Sequence, residues 1–227
     1  MIWDFIYSFA SIVISLSLGL MLGNVALGLP LSEQHDFIGD WLSFFNPFSI
    51  MVAITTLALF MLHGAIYLAM KTENRLYTKM TLLAKSFTVF FVVALGLTTL
   101  YTLLYIPHLS DRIRSSSQYF ILPVIMFLAI ANIPRQLNKG KYFNAFISSA
   151  VTIASLLAMV AIEVFPYLLY ATNDARNSIT VENAASSLKT MKTLLLIAAI
   201  GAPLVAMYTG FVFWTFKGKV ELDESSY

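Results

Sequence analysis

The sequence predicts an all-α integral membrane protein, a bundle of six transmembrane helices with both termini cytoplasmic, forming a single domain over residues 1–227. Three observations predict it. Of the 227 residues, 59% are hydrophobic and only 11% charged, against about 25% charged in soluble domains. Six stretches without Asp, Glu, Lys or Arg recur along the chain, separated by short polar connections. Lys and Arg are denser, summed over one side's connections, than over the other's, as the cytoplasmic side requires.

The first span is placed at 5–30. Asp4 stands where a signal peptide would carry positive charge, and the apolar run is too long for one. Gly19, Gly23 and Gly28, with Asn24 beside them, give this helix a small-residue face for close packing.

The second span, 46–70, lies in the uncharged run from Trp41 to Met70, longer than the roughly 20 residues needed to cross a hydrocarbon core. Pro47 suits a first helical turn, where the backbone N–H has no intrahelical partner, with Asn46 just before it. Lys71, Thr72 and Glu73 end the run at an aqueous interface. Further spans are placed at 86–107, 116–134, 142–166 and 193–216. The polar connection from Thr172 to Lys192 is expected to form an interfacial turn of helix entering the last span. There Pro203, next to Gly201, removes one backbone hydrogen bond and makes a local kink plausible. Trp3, Trp41 and Trp214 fall near span ends, as an aromatic belt does.

Orientation follows from the basic residues. Loops 2 and 4 and the C-terminal tail hold nine Lys and Arg, whereas loops 1, 3 and 5 hold five and loop 1 has none. The cytoplasmic side is therefore that of both termini.

Chemistry is sparse. The chain has no cysteine, which excludes disulfides and thiolate metal sites within it. No basic cluster interleaved with aromatics marks a nucleic-acid surface. There is no Gly-rich phosphate loop, no helical His-Glu-x-x-His and no pair of carboxylates on one helix face. The histidines are His35, His63 and His108. His63 lies deep in the second span, where an unpaired imidazole is costly. It is a candidate haem ligand, proton relay or quinone contact; the plainer reading is a hydrogen bond to a neighbouring helix, with Gly64 and Ala65 allowing close approach. Glu163, three residues before Pro166, is a candidate for a proton path, against the plainer reading of a carboxylate reaching the headgroups.

Several stretches, in order, resemble subunit II of cytochrome bd, the bacterial quinol oxidase. They are Gly23-Asn24-Val25-Ala26-Leu27-Gly28-Leu29-Pro30, Asn46-Pro47-Phe48, and His63-Gly64-Ala65-Ile66-Tyr67-Leu68 running into Lys71-Thr72-Glu73. Towards the C-terminus follow Ser178-Ile179-Thr180-Val181, Asn183-Ala184-Ala185-Ser186-Ser187, Gly201-Ala202-Pro203-Leu204-Val205, and Tyr208-Thr209-Gly210 to Phe216-Lys217-Gly218-Lys219-Val220. The resemblance implies a non-haem subunit of a bacterial inner-membrane complex that oxidises quinol and reduces dioxygen to water. Haems b and d and the principal quinol site are then expected on a partner, subunit I, with no cofactor in this chain. It also lowers the expectation that His63 binds haem.

Members of that family usually begin with further helices carrying Asp-Gly-Phe-Asp-type and Trp-Asp-Gly-Asn-Glu-type motifs, which are not found here. Trp3-Asp4 resembles the start of a later helix. The expectation is a truncated sequence, a split subunit whose other piece is a separate chain, or a degenerate copy; a small accessory subunit is a further expected partner. The alternatives are a multi-pass transporter, although no paired repeat is visible, or an inert truncated copy of the oxidase subunit.

Overall fold

The computed structural model describes residues 2–106, 109, 118–216 and 218. Among the described residues six helices are long and apolar enough to cross a membrane: α1 (Ile2–Leu27), α2 (Pro47–Lys71), α3 (Asn74–Tyr105), α4 (Ile121–Asn138), α5 (Tyr142–Val164) and α6 (Leu188–Thr215). The fold is thus all-α and multi-pass.

α2 is the hub, packing against α1, α3 and α5, while α4 pairs with α5 and touches α3. Composition explains the closeness of α1 and α2. A Cβ on Gly19 would sit 2.6 Å from the Ala53 Cα, and one on Gly23 2.7 Å from the Ser49 Cα. Small residues at a four-residue spacing let two backbones approach and gain van der Waals contact, which replaces the hydrophobic drive that lipid cannot supply. The core is centred on Leu62 and Ile66 of α2, Phe91 of α3 and Ile133 of α4, all fully buried.

Helix limits depart from those expected, by a few residues in α1 and α6, which begins at Leu188 rather than 193, and more tellingly in α3 and α4. α3 begins at Asn74 rather than near residue 86, so the turn after α2 shrinks to Thr72 and Glu73. Asn74 takes the left-handed conformation, φ 54°, which asparagine tolerates better than most residues. The basic residues Lys79 and Lys85 consequently ride on the first turns of a helix. Its 32 residues span roughly 48 Å at 1.5 Å per residue, more than a hydrocarbon core requires. α4 runs through Pro134 to Asn138 instead of ending at the proline. The residues expected to begin this span, and His108, Arg112, Arg114, Lys217 and Lys219, lie outside the described residues.

The connection between α5 and α6 also differs from expectation. It is built around a small antiparallel hairpin of β1 (Tyr167–Leu169) and β2 (Ile179–Thr180), with Tyr167 opposite Thr180. Ala184–Ser187 is not helical; Ser187 caps α6, its side chain accepting from the Thr190 N–H. Local propensity did not reveal the hairpin because its partner is remote. The Leu29 N–H donates to the Tyr170 carbonyl at 2.9 Å and the Thr172 N–H to the Leu29 carbonyl at 3.1 Å. Asn173 both accepts from the Leu31 N–H at 2.9 Å and donates to the Leu31 carbonyl at 2.8 Å. The exit of α1 and the hairpin are thereby sewn into one cap.

α6 stands apart. None of its residues is buried, and it makes no extended packing contact with the other five helices. Its C-terminal end is held by Lys71, whose ammonium donates to the carbonyls of Phe216 at 3.3 Å and Gly218 at 3.1 Å.

Candidate functional site

Two polar centres within the apolar interior hold several of the sequence candidates. The first joins Asn24 and Asn46. Asn46 precedes Pro47 in extended backbone and caps α2, its Oδ1 accepting from the Ser49 N–H at 2.8 Å. The same amide donates through Nδ2 to the Asn24 Oδ1 at 2.9 Å. Asn24, only 4% exposed, donates in turn to the carbonyls of Leu20 and Phe44, both at 2.8 Å. Every polar atom of the Asn24 amide is engaged, as burial in an apolar medium requires. One helical turn on, Gly28 has φ 91° and lies against the Tyr170 carbonyl, which a Cβ would meet at 2.7 Å. Gly23, Asn24, Gly28, Asn46 and Pro47 therefore work together as an interhelical lock, and Pro30 follows it in the loop to η-turn Trp41–Phe45.

The second centre is His63. Its Nδ1 lies 2.7 Å from the Ser149 Oγ of α5. The Ser149 Oγ also lies 2.8 Å from the Phe146 carbonyl, to which its hydroxyl can donate; which of Nδ1 and Oγ donates in the His63–Ser149 bond depends on the imidazole tautomer. The Phe146 ring stacks on the imidazole, centroids 4.5 Å apart and planes 30° apart, and Tyr67 flanks Phe146 at 5.9 Å. Gly64 does not serve the close approach expected of it, since a Cβ there would meet nothing within 4 Å; Ala65, which is buried, does face the core.

Phe146 covers one face of the His63 ring. Among the described residues no group of three or more His, Cys, Asp or Glu gathers at metal-binding distance.

Sequence reasoning missed the partners of His63, because Ser149 and Phe146 lie 86 and 83 positions away. The signal available was the polar pair Ser148-Ser149 in an apolar run. Ser148 belongs to a further chain between α4 and α5: Asn132 donates to its Oγ at 2.9 Å, and Gln136 donates to the Asn132 Oδ1 at 2.9 Å.

The remaining candidates do not converge. Glu163 is half-buried near the end of α5. Pro203 and Tyr208 are exposed on α6, which continues unbroken through the proline. Gly218, at φ 114°, offers its carbonyl to Lys71.

Outside the membrane spans, Asp174 and Arg176 form an exposed ion pair of 2.7 Å. The hydrogen bond from the Arg176 guanidinium, joined by the Arg176 backbone N–H, holds the Asp174 carboxyl at about 2. Arg176 is raised correspondingly by the same partner.

Comparison with known proteins gives a consistent picture. The family model described as cytochrome bd terminal oxidase subunit II matches residues 1–216. The chain is 20% identical over 252 aligned residues to the cytochrome bd-I ubiquinol oxidase subunit 2 of Escherichia coli K12, covering 98% of this chain and 66% of the relative. To the cytochrome bd ubiquinol oxidase subunit 2 of Bacillus subtilis 168 it is 22% identical, covering 98% and 65%. The chain thus spans just under two thirds of the length of these curated relatives. Among solved structures it resembles a chain of the bd oxidase from Geobacillus thermodenitrificans with a TM-score of 0.72 at 19% identity, over 93% of this chain and 64% of that one.

Proposed function

The chain belongs to the cytochrome bd terminal oxidase subunit II family, and from that membership we propose that it is a non-haem subunit of a quinol:oxygen oxidoreductase. Its role is to support a haem-bearing subunit I in quinol oxidation and the reduction of dioxygen to water. The observation that carries this reading is the family match across residues 1–216.

The physical features of the chain support a scaffold. Its interior polar groups tie helices to one another: Asn24 to Asn46, His63 to Ser149, Asn132 to Ser148. In this reading haems b and d are housed on subunit I, with the quinol, and His63 ties α2 to α5. The unpacked α6 and the exposed N-terminal half of α1 supply apolar surface for a partner's helices, since packing between membrane helices needs large complementary contact. A small accessory subunit, or a separate chain, is a further candidate for that surface.

In this reading residues 1–227 act as a single domain of the bacterial inner membrane, with both termini cytoplasmic. The basic ends of α2, α3 and α4 against the acidic loop after α1 support that orientation.

The test is a mild-detergent pull-down of the tagged chain from membranes that also make subunit I, recording haem absorbance and quinol-dependent oxygen uptake. Haem that co-purifies with oxygen uptake is the expected result. A preparation without haem refutes the scaffold role, and a stoichiometric haem spectrum from the chain purified alone refutes the non-haem assignment.

A further inference from the structure

A cavity of about 510 Å³ opens where α2 ends, α3 begins and α4 turns into α5, well within the range of ligand pockets. We propose that it binds the phosphate headgroup of an anionic phospholipid from the leaflet on that side. The inference does not depend on the oxidase reading.

The walls divide by chemistry. Ala69, Met70 and Phe143 are apolar, and Phe143 is 62% exposed. The polar lining is Tyr77, Tyr142, Lys141 and Asn144. The two phenol oxygens are 2.8 Å apart, and the Thr81 hydroxyl donates to the Tyr142 oxygen at 3.3 Å, so the polar wall is fixed in place. The Lys141 ammonium is exposed and has no protein partner among the described residues. Lys141 also precedes α5 without a side-chain cap, leaving the first amide N–H groups beside its ammonium without intrahelical acceptors.

The surrounding charge points the same way. Arg75, Lys79 and Lys139 are exposed around the same helix ends, and basic pockets between membrane helices at an anionic leaflet attract phospholipid headgroups. A free phosphate would satisfy Lys141 equally, but it would leave the apolar wall of Ala69, Met70 and Phe143 uncovered. A phospholipid covers both, its phosphate at Lys141 and its first acyl carbons against Phe143.

Spin-labelled phosphatidylglycerol tests this directly. The chain is reconstituted into phosphatidylcholine vesicles, and the motionally restricted fraction of the label gives its association relative to labelled phosphatidylcholine. Phosphatidylglycerol should be preferred, and Lys141→Gln should reduce the preference roughly fivefold, the loss of one basic contact. Tyr142→Phe should weaken it less, and Lys189→Gln, in the first turn of α6 and outside the cavity lining, should leave it unchanged. Because Lys141 is exposed, its substitution leaves the fold intact. An unchanged preference in Lys141→Gln overturns the proposal. Displacement of the labelled lipid by millimolar inorganic phosphate also overturns it, by making the site one for the free ion.

Discussion

The side-chain amide of Asn46 donates to the Asn24 Oδ1 at 2.9 Å while its own oxygen caps the first turn of α2. One residue thus starts a helix and fastens it to its neighbour. Asn46→Ala removes both functions, so it should cost about 1–2 kcal/mol, the loss of a cap together with an interhelical bond. Asn24→Ala leaves the Phe44 carbonyl without this donor and should cost a similar amount. A double-mutant cycle on thermal unfolding in detergent should return a coupling of about 0.6 kcal/mol or more; strictly additive losses would show that the pair is not coupled.

Gly23 and Gly64 are both helical glycines, yet the structure separates them. Gly23→Ala drives a methyl to 2.7 Å from the Ser49 backbone, so α1 must shift, at about 1–3 kcal/mol. Gly64→Ala enters open space and should be neutral or slightly stabilising through helix propensity. Midpoints of unfolding in detergent decide the matter, and equal effects at the two sites would contradict the packing described.

His63→Ala removes the interhelical bond to Ser149 and the stacking on Phe146. The expected outcome is a lower yield of assembled complex with turnover per haem retained, and Ser149→Ala should share the phenotype in weaker form. Normal yield with abolished turnover would move His63 from scaffold to chemistry.

Asp174 should titrate at about 2, observable by carbon NMR of its carboxyl group. Its folded value is depressed below the ordinary 3.8. The stabilisation it gives is therefore complete above about pH 4 and disappears as the pH falls through about 2. The pair is exposed, so the effect on overall stability is small. Arg176→Gln should return the midpoint towards the ordinary carboxylate range.

Lys71 holds the end of α6 through two carbonyls. Lys71→Met should free that end, seen as a broadened spin-label distance distribution between the ends of α2 and α6. An unaltered distribution would mean that the tether is not what positions the helix.

The number of helices and their membrane character were legible in the sequence because they depend on local composition: an uncharged run longer than a bilayer core has to bury its backbone as a helix. The start of α2 at Pro47 and the small-residue face of Gly19 and Gly23 were legible for the same reason, being written within one turn of chain. Helix ends were less so. The start of α3 moved to Asn74 because a basic, polar stretch continues a helix beyond the membrane as readily as it forms a loop. What only the tertiary structure decided are the pairings between distant residues. These are Ser149 for His63, Asn173 for Leu31, Asn24 for Asn46, and the carbonyls of Phe216 and Gly218 for Lys71. A buried polar group must find a partner in an apolar medium, so the sequence determined that His63 and Asn24 would be satisfied. Which residues satisfy them was decided by how the helices pack.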